Sequence, residues 1–184
     1  MAKELEELGA KNITIGKRQV QCTGSKELAY KANLYLRTGL RVLAPLHTYK
    51  AENPVELYEG AKEVAWDKLI NLKQTFAIDS TANSRIFTHS HYAGLKVKDA
   101  IVDQYREKRR KRPSIDTQKP DIKVNLHIAE DTVTISLDSS GESLHRRGYR
   151  LSKNAAPLNE VLAAGMIGFS GCEGENHFVD TMCG

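Results

Sequence analysis

Ile122-Lys123-Val124-Asn125-Leu126-His127-Ile128-Ala129-Glu130-Asp131-Thr132-Val133-Thr134-Ile135-Ser136-Leu137 carries the cleanest strand signal in the chain. Ile122, Val124, Leu126 and Ile128 alternate with Lys123, Asn125 and His127. After the Ala129-Glu130-Asp131 turn, Val133, Ile135 and Leu137 alternate with Thr132, Thr134 and Ser136. A period of two puts every apolar side chain on one face, so the stretch predicts an antiparallel hairpin with one covered and one wet face. The cover is expected to be helical. Upstream, His89 to Arg110 predicts a long helix with the stripe Ala93, Val97, Ala100, Ile101 and Tyr105, ended by Pro113. Tyr105 lies on that stripe and reads as core, as does Trp66.

Working further upstream, Thr75 to Asp79 predicts a strand with Phe76 and Ile78 on one face. Asn53-Pro54-Val55-Glu56 opens a helix to about Trp66, with a capping side chain, a proline in the first turn and a capping-box acid. Leu40 to Tyr49 predicts a strand in which Pro45 argues for an edge or bulge position. Ser25 to Arg37 predicts a helix packing through Leu28, Ala32, Tyr35 and Leu36. Ile13 to Ile15 and Gln19 to Thr23 predict a hairpin turning at Gly16-Lys17-Arg18, and residues 1–8 predict the last turns of a helix closed by Gly9. Downstream, residues 139–153 are rich in Ser, Gly and Arg and read as a basic linker. A helix follows from Ala156-Pro157 to about Ile167, then a polar loop, then a strand running from His177 towards Gly184.

The 184 residues are 40% hydrophobic and 27% charged, which suits one medium domain or two small ones and indicates neither a fibre nor disorder. Cys22, Cys172 and Cys183 form no close pair, so neither a disulfide framework nor a zinc site is expected. The acidic start, Met1-Ala2-Lys3-Glu4-Leu5-Glu6-Glu7, has no signal-peptide pattern, and a cytoplasmic location with no membrane partner is the expectation. His89 and His91 diverge on a helix and give no metal spacing. Net charge is only +4, but Lys96, Lys98, Arg106, Lys108, Arg109, Arg110, Lys111 and Arg112 face only Asp99, Asp103 and Glu107, a local balance of +5. Such a run is either a solvated helix end complementing the macrodipole or a phosphate-binding patch.

The order of elements and three strings carry a resemblance. Tyr30-Lys31-Ala32-Asn33-Leu34-Tyr35-Leu36-Arg37-Thr38, Val97-Lys98-Asp99-Ala100-Ile101-Val102-Asp103 and Ser140-Gly141-Glu142-Ser143-Leu144-His145-Arg146-Arg147-Gly148-Tyr149-Arg150 are similar to the bacterial large-subunit ribosomal RNA guanine-N2 methyltransferases, also described as DNA adenine methylases. The resemblance implies an α+β chain. It consists of a ferredoxin-like N-terminal part (1–50, first strand missing), a THUMP domain (51–138), a basic linker (139–154) and the first helix and strand of a Rossmann-like SAM-dependent methyltransferase domain (155–184). On this reading the chain is truncated at both ends.

The resemblance also implies roles. RNA binding falls to Lys96, Lys98, Arg106, Arg109, Arg110, Lys111 and Arg112, and, from the linker, to Arg146, Arg147 and Arg150, whose alternative is salt bridging to acids such as Glu142. Asp180, Met182, Cys183 and Gly184 resemble the first SAM-binding motif, where a strand ends and glycine lets the backbone approach the cofactor. The family usually has Pro where this chain has Thr181. No Asn/Asp-Pro-Pro-aromatic tetrapeptide occurs, so no catalytic residue is assigned and the chain by itself is expected to be inactive. The expected partner is large-subunit ribosomal RNA, not DNA. A stand-alone RNA-binding adaptor and a DNA adenine methylase fragment are the alternatives.

Overall fold

In the computed structural model, residues 1–148, 158–172, 174, 177–179 and 181 are described. Two compact units form, Leu43–Gly141 and the pair of segments Met1–Val42 and Glu142–Gly184.

The hairpin is the centre of the first unit. Strands β6 (Ile122–Ala129) and β7 (Thr132–Asp138) pair antiparallel, with Val124 opposite Leu137, Leu126 opposite Ile135 and Ile128 opposite Val133. Val124, Leu126, Ile128, Val133 and Ile135 are all fully buried. Strand β3 (Leu43–Lys50) pairs antiparallel with β7 at the sheet edge, and its register shifts between Pro45 and His47. Edge and bulge thus coincide at the proline, which cannot donate to a ladder. Residues 43–50, grouped on sequence with the N-terminal part, therefore belong to this sheet by hydrogen bonding. On the other side β4 (Thr75–Asn83) runs parallel to β6, and the two-residue β5 (Ser114–Ile115) extends the sheet, giving the order β3-β7-β6-β4-β5.

Adjacent parallel strands need a crossover, and the long helix provides it: α5 (Ser90–Arg109) joins β4 to the β5–β6 side. Its stripe of Ala93, Val97, Ala100, Ile101 and Tyr105 is at most 1% exposed. α3 (Pro54–Lys62) packs beside it, capped by Asn53 Oδ1 accepting from the amides of Val55 and Glu56, both at 3.0 Å. Gly60 is required there, since a Cβ would lie 2.2 Å from a Tyr49 ring carbon. The helix expected to reach Trp66 stops at Lys62, and Trp66 starts a short α4 (Trp66–Leu69). The break lets the indole enter the core, where Nε1 donates to the Ala61 carbonyl at 2.8 Å. Tyr105 Oη hydrogen-bonds the carbonyls of Trp66 (2.9 Å) and Ile70.

The second unit holds α1 (Ala2–Glu7), the β1 (Lys11–Gly16)–β2 (Gln19–Thr23) hairpin and α2 (Lys26–Tyr35) around a small core of Leu5, Ala32 and Leu36. Tyr35, expected on the packed face, is 60% exposed, because the chain leaves helical geometry at Leu36 and that residue turns inward instead. α6 (Glu160–Phe169) is capped by Asn159 and is apolar along its length, with no fully buried residue. It starts later than expected, and residues 177–179 of the expected final strand are not in a strand. Among the described residues no helix is long and apolar enough to cross a membrane.

Candidate nucleic-acid interface

The basic run lies on the outer face and C-terminal end of α5, away from its buried stripe, because every stripe residue is apolar or, like Tyr105, has its polar atom satisfied in the core. α5 ends at Arg110, whose φ of 52° is left-handed and whose amide donates to the Arg106 carbonyl at 3.0 Å. That reversal lets the chain turn back through Pro113 into β5, carrying Arg112 to the side of the helix. A concavity of about 380 Å³ results, lined by the cations Lys96, Lys98, Arg106 and Arg112, by Asp99 and Asp103, and by Tyr58 of α3.

The cations are not equivalent. Lys98 Nζ is 2.9 Å from Asp99 Oδ1, and Arg106 Nη1 is 3.2 Å from Asp103 Oδ1. Lys108 reaches Asp67 at 2.9 Å, and this hydrogen bond holds the Asp67 carboxyl below its usual range. Lys96 Nζ lies 5.6 Å from the centroid of the Tyr92 ring, over its face. Arg110, Lys111 and Arg112 are exposed and have no ion pair among the described residues. Tyr58 Oη donates to Asp103 Oδ2 at 3.1 Å, and burial, followed by this bond, raises the pKa of the hydroxyl so that it stays a donor.

Of the linker arginines, Arg146 is exposed, whereas Arg147 is committed elsewhere. Its Nη1 donates to the Leu34 carbonyl at 2.5 Å, Nη2 to Asn33 (3.1 Å) and Leu36 (2.7 Å), and Nε to Leu144 (3.0 Å). The fork closes the open C-terminal carbonyls of α2, the task of a helix-capping cation. These bonds engage Arg147 with four backbone carbonyls, a helix-closing role that the sequence reading did not offer. Arg150, Asp180, Met182, Cys183 and Gly184 lie outside the described residues. Sequence reasoning missed Tyr58, which has no local signal, since only the packing of α3 on α5 brings it to Asp103.

Residues 51–138 match the THUMP domain model, residues 1–43 an RlmL ferredoxin-like domain and residues 147–184 an RMKL-like methyltransferase domain. The chain thus carries a THUMP domain between a ferredoxin-like segment and a segment matching the start of a methyltransferase domain. It is similar over its whole length, at 42% identity, to a provisionally named RNA methyltransferase of Synechocystis sp. and, also at 42%, to the ribosomal RNA large subunit methyltransferase K/L of Syntrophotalea carbinolica. It spans 48% of the former and 26% of the latter. Among solved structures, SMU.472, a provisionally assigned methyltransferase in complex with SAH, superposes with a TM-score of 0.79 at 25% identity, over 93% of this chain and 45% of that one. The expected α+β class, ferredoxin-like and THUMP parts followed by the start of a methyltransferase fold, is what these family matches show.

Proposed function

We propose that this chain is the RNA-docking portion of a SAM-dependent methyltransferase acting on a guanine N2 of large-subunit ribosomal RNA. The observation that carries the reading is the basic rim of α5 and the 110–112 turn, where Arg110, Lys111 and Arg112 have no acid partner among the described residues, on a domain that matches THUMP. Duplex RNA is recognised mainly by shape and by phosphate and 2′-hydroxyl contacts, which a charged wall suits. SAM would supply an electrophilic methyl group, and this part of the reading is supported by the methyltransferase match and the SAH-bound neighbour. The candidates to hold it are Asp180, Met182, Cys183 and Gly184. The ribosomal substrate is supported by the name of the Syntrophotalea relative, and the guanine acceptor by the resemblance alone.

The test is an anisotropy titration with a structured ribosomal RNA hairpin at several salt concentrations. About five phosphate contacts predict a log–log slope of roughly −3 to −5. Changing Arg109, Arg110 and Arg112 together to Ser should flatten that slope by about two to three. An unchanged slope would remove this surface from the RNA footprint and move the search to Arg146.

A further inference from the structure

The α5 concavity contains more than a phosphate site needs. Four cations line it, but two of them, Lys98 and Arg106, are engaged by Asp99 and Asp103. A polyanion alone gains nothing from two carboxylates in the lining of its site, because each repels a phosphate oxygen. The carboxylates become useful when the ligand also carries a donor. Along a sugar–phosphate backbone the anionic acceptors repeat at every nucleotide, and in RNA a single donor, the ribose 2′-hydroxyl, repeats with them; DNA lacks it.

The acids have the capacity for such a contact. An ionised carboxylate accepts at about four positions on its two oxygens. Asp103 uses one position on each oxygen, for Arg106 on Oδ1 and Tyr58 on Oδ2, and these two donors from different helices fix its plane. Asp99 is held by Lys98 on Oδ1 and is about half exposed. Arg112 and Lys96 flank the pair with no acid partner among the described residues.

We infer that this concavity is a ribose–phosphate subsite in which Lys96 and Arg112 hold phosphates while Asp99 and Asp103 accept 2′-hydroxyl hydrogen bonds, selecting RNA over DNA. The inference rests on the RNA-docking reading above and adds to it the residues that tell the two nucleic acids apart. Tyr58 acts as a positioning residue, through Asp103.

The experiment compares binding of the chain to one hairpin sequence made as RNA and as 2′-fluoro RNA, which keeps the A-form but has no 2′ donor. The parent should bind the fluoro hairpin about tenfold more weakly or worse, since hydrogen bonds to a charged group are the strong ones. In the Asp99→Ala/Asp103→Ala variant that difference should shrink towards unity, while affinity for the fluoro hairpin holds or rises as repulsion is removed. Equal binding of the two hairpins by the parent, or a preference that survives the double substitution, would overturn the subsite while leaving RNA docking intact. Failure of the parent to bind RNA at all would overturn both.

Discussion

Gln104 is a polar residue in the middle of a core helix, and its surroundings explain it. Its Oε1 accepts from the Trp66 amide at 3.1 Å, and Nε2 donates to the carbonyls of Lys62 (2.9 Å) and Val64 (2.8 Å), so one buried amide fastens the whole break between α3 and α4. Replacing it with Leu keeps the volume but removes all three hydrogen bonds, so the part-buried Lys62 carbonyl loses this donor and the Trp66 amide and Val64 carbonyl are reduced to the bond they make with each other at 2.9 Å. Gln104→Leu should therefore cost roughly 2–3 kcal/mol, read as a lower midpoint in urea at unchanged m-value. A loss below about 0.5 kcal/mol would mean that water replaces the amide. Arg147 shows the same principle with a cation: a residue to which the resemblance gives RNA binding has donors turned to carbonyls 111 to 114 positions away, those of Asn33, Leu34 and Leu36.

At the level of the element, the end of α5 joins stability to the proposed interface. Arg110 adopts a left-handed conformation that costs a side-chain-bearing residue roughly 1–2 kcal/mol and glycine little. Arg110→Gly should leave stability unchanged or raise it by up to about 1 kcal/mol, partly offset by the entropy glycine adds to the unfolded chain. It should also flatten the salt slope of RNA binding by about one. A thermal melt paired with the titration checks both, and a marked drop in melting temperature would refute the cap argument. The opening turn of the parallel pair β4–β6 carries a pH dependence. Asp121 accepts from the Thr75 amide (2.8 Å) and hydroxyl (2.9 Å), and these bonds lower its pKa. The pKa of Asp116, just after β5, is lowered by the amides of Lys119 and Gln118. A depressed folded-state pKa contributes stability that is present above the unfolded value of about 3.9 and disappears as pH falls through the folded value. Denaturant midpoints should thus fall below about pH 4, and Asp121→Asn should flatten that fall while lowering the midpoint at pH 7. An identical acid limb in the variant would show that other carboxylates set it.

For the whole molecule, what was legible in the sequence was whatever repeats locally. The β6–β7 alternation, the five-residue stripe of α5, the Asn53 cap and the Pro45 edge position all depend on neighbours within a few residues, and each is found where periodicity or capping chemistry places it. The same locality located the basic run, because charge density needs no knowledge of the fold. Tertiary structure decided the rest. The attachment of residues 43–50 to β7, the parallel pairing of β4 with β6, the choice of Leu36 over Tyr35 for the core and the meeting of Tyr58 with Asp103 are contacts between distant segments. So is the sorting of cations into Lys98 and Arg106, paired with acids, and Arg110, Lys111 and Arg112, which have no acid partner among the described residues. Periodicity determines which face of an element is apolar. Which element meets it is set by burial, hydrogen-bond satisfaction and chain connectivity acting together, and none of these leaves a local trace in the sequence.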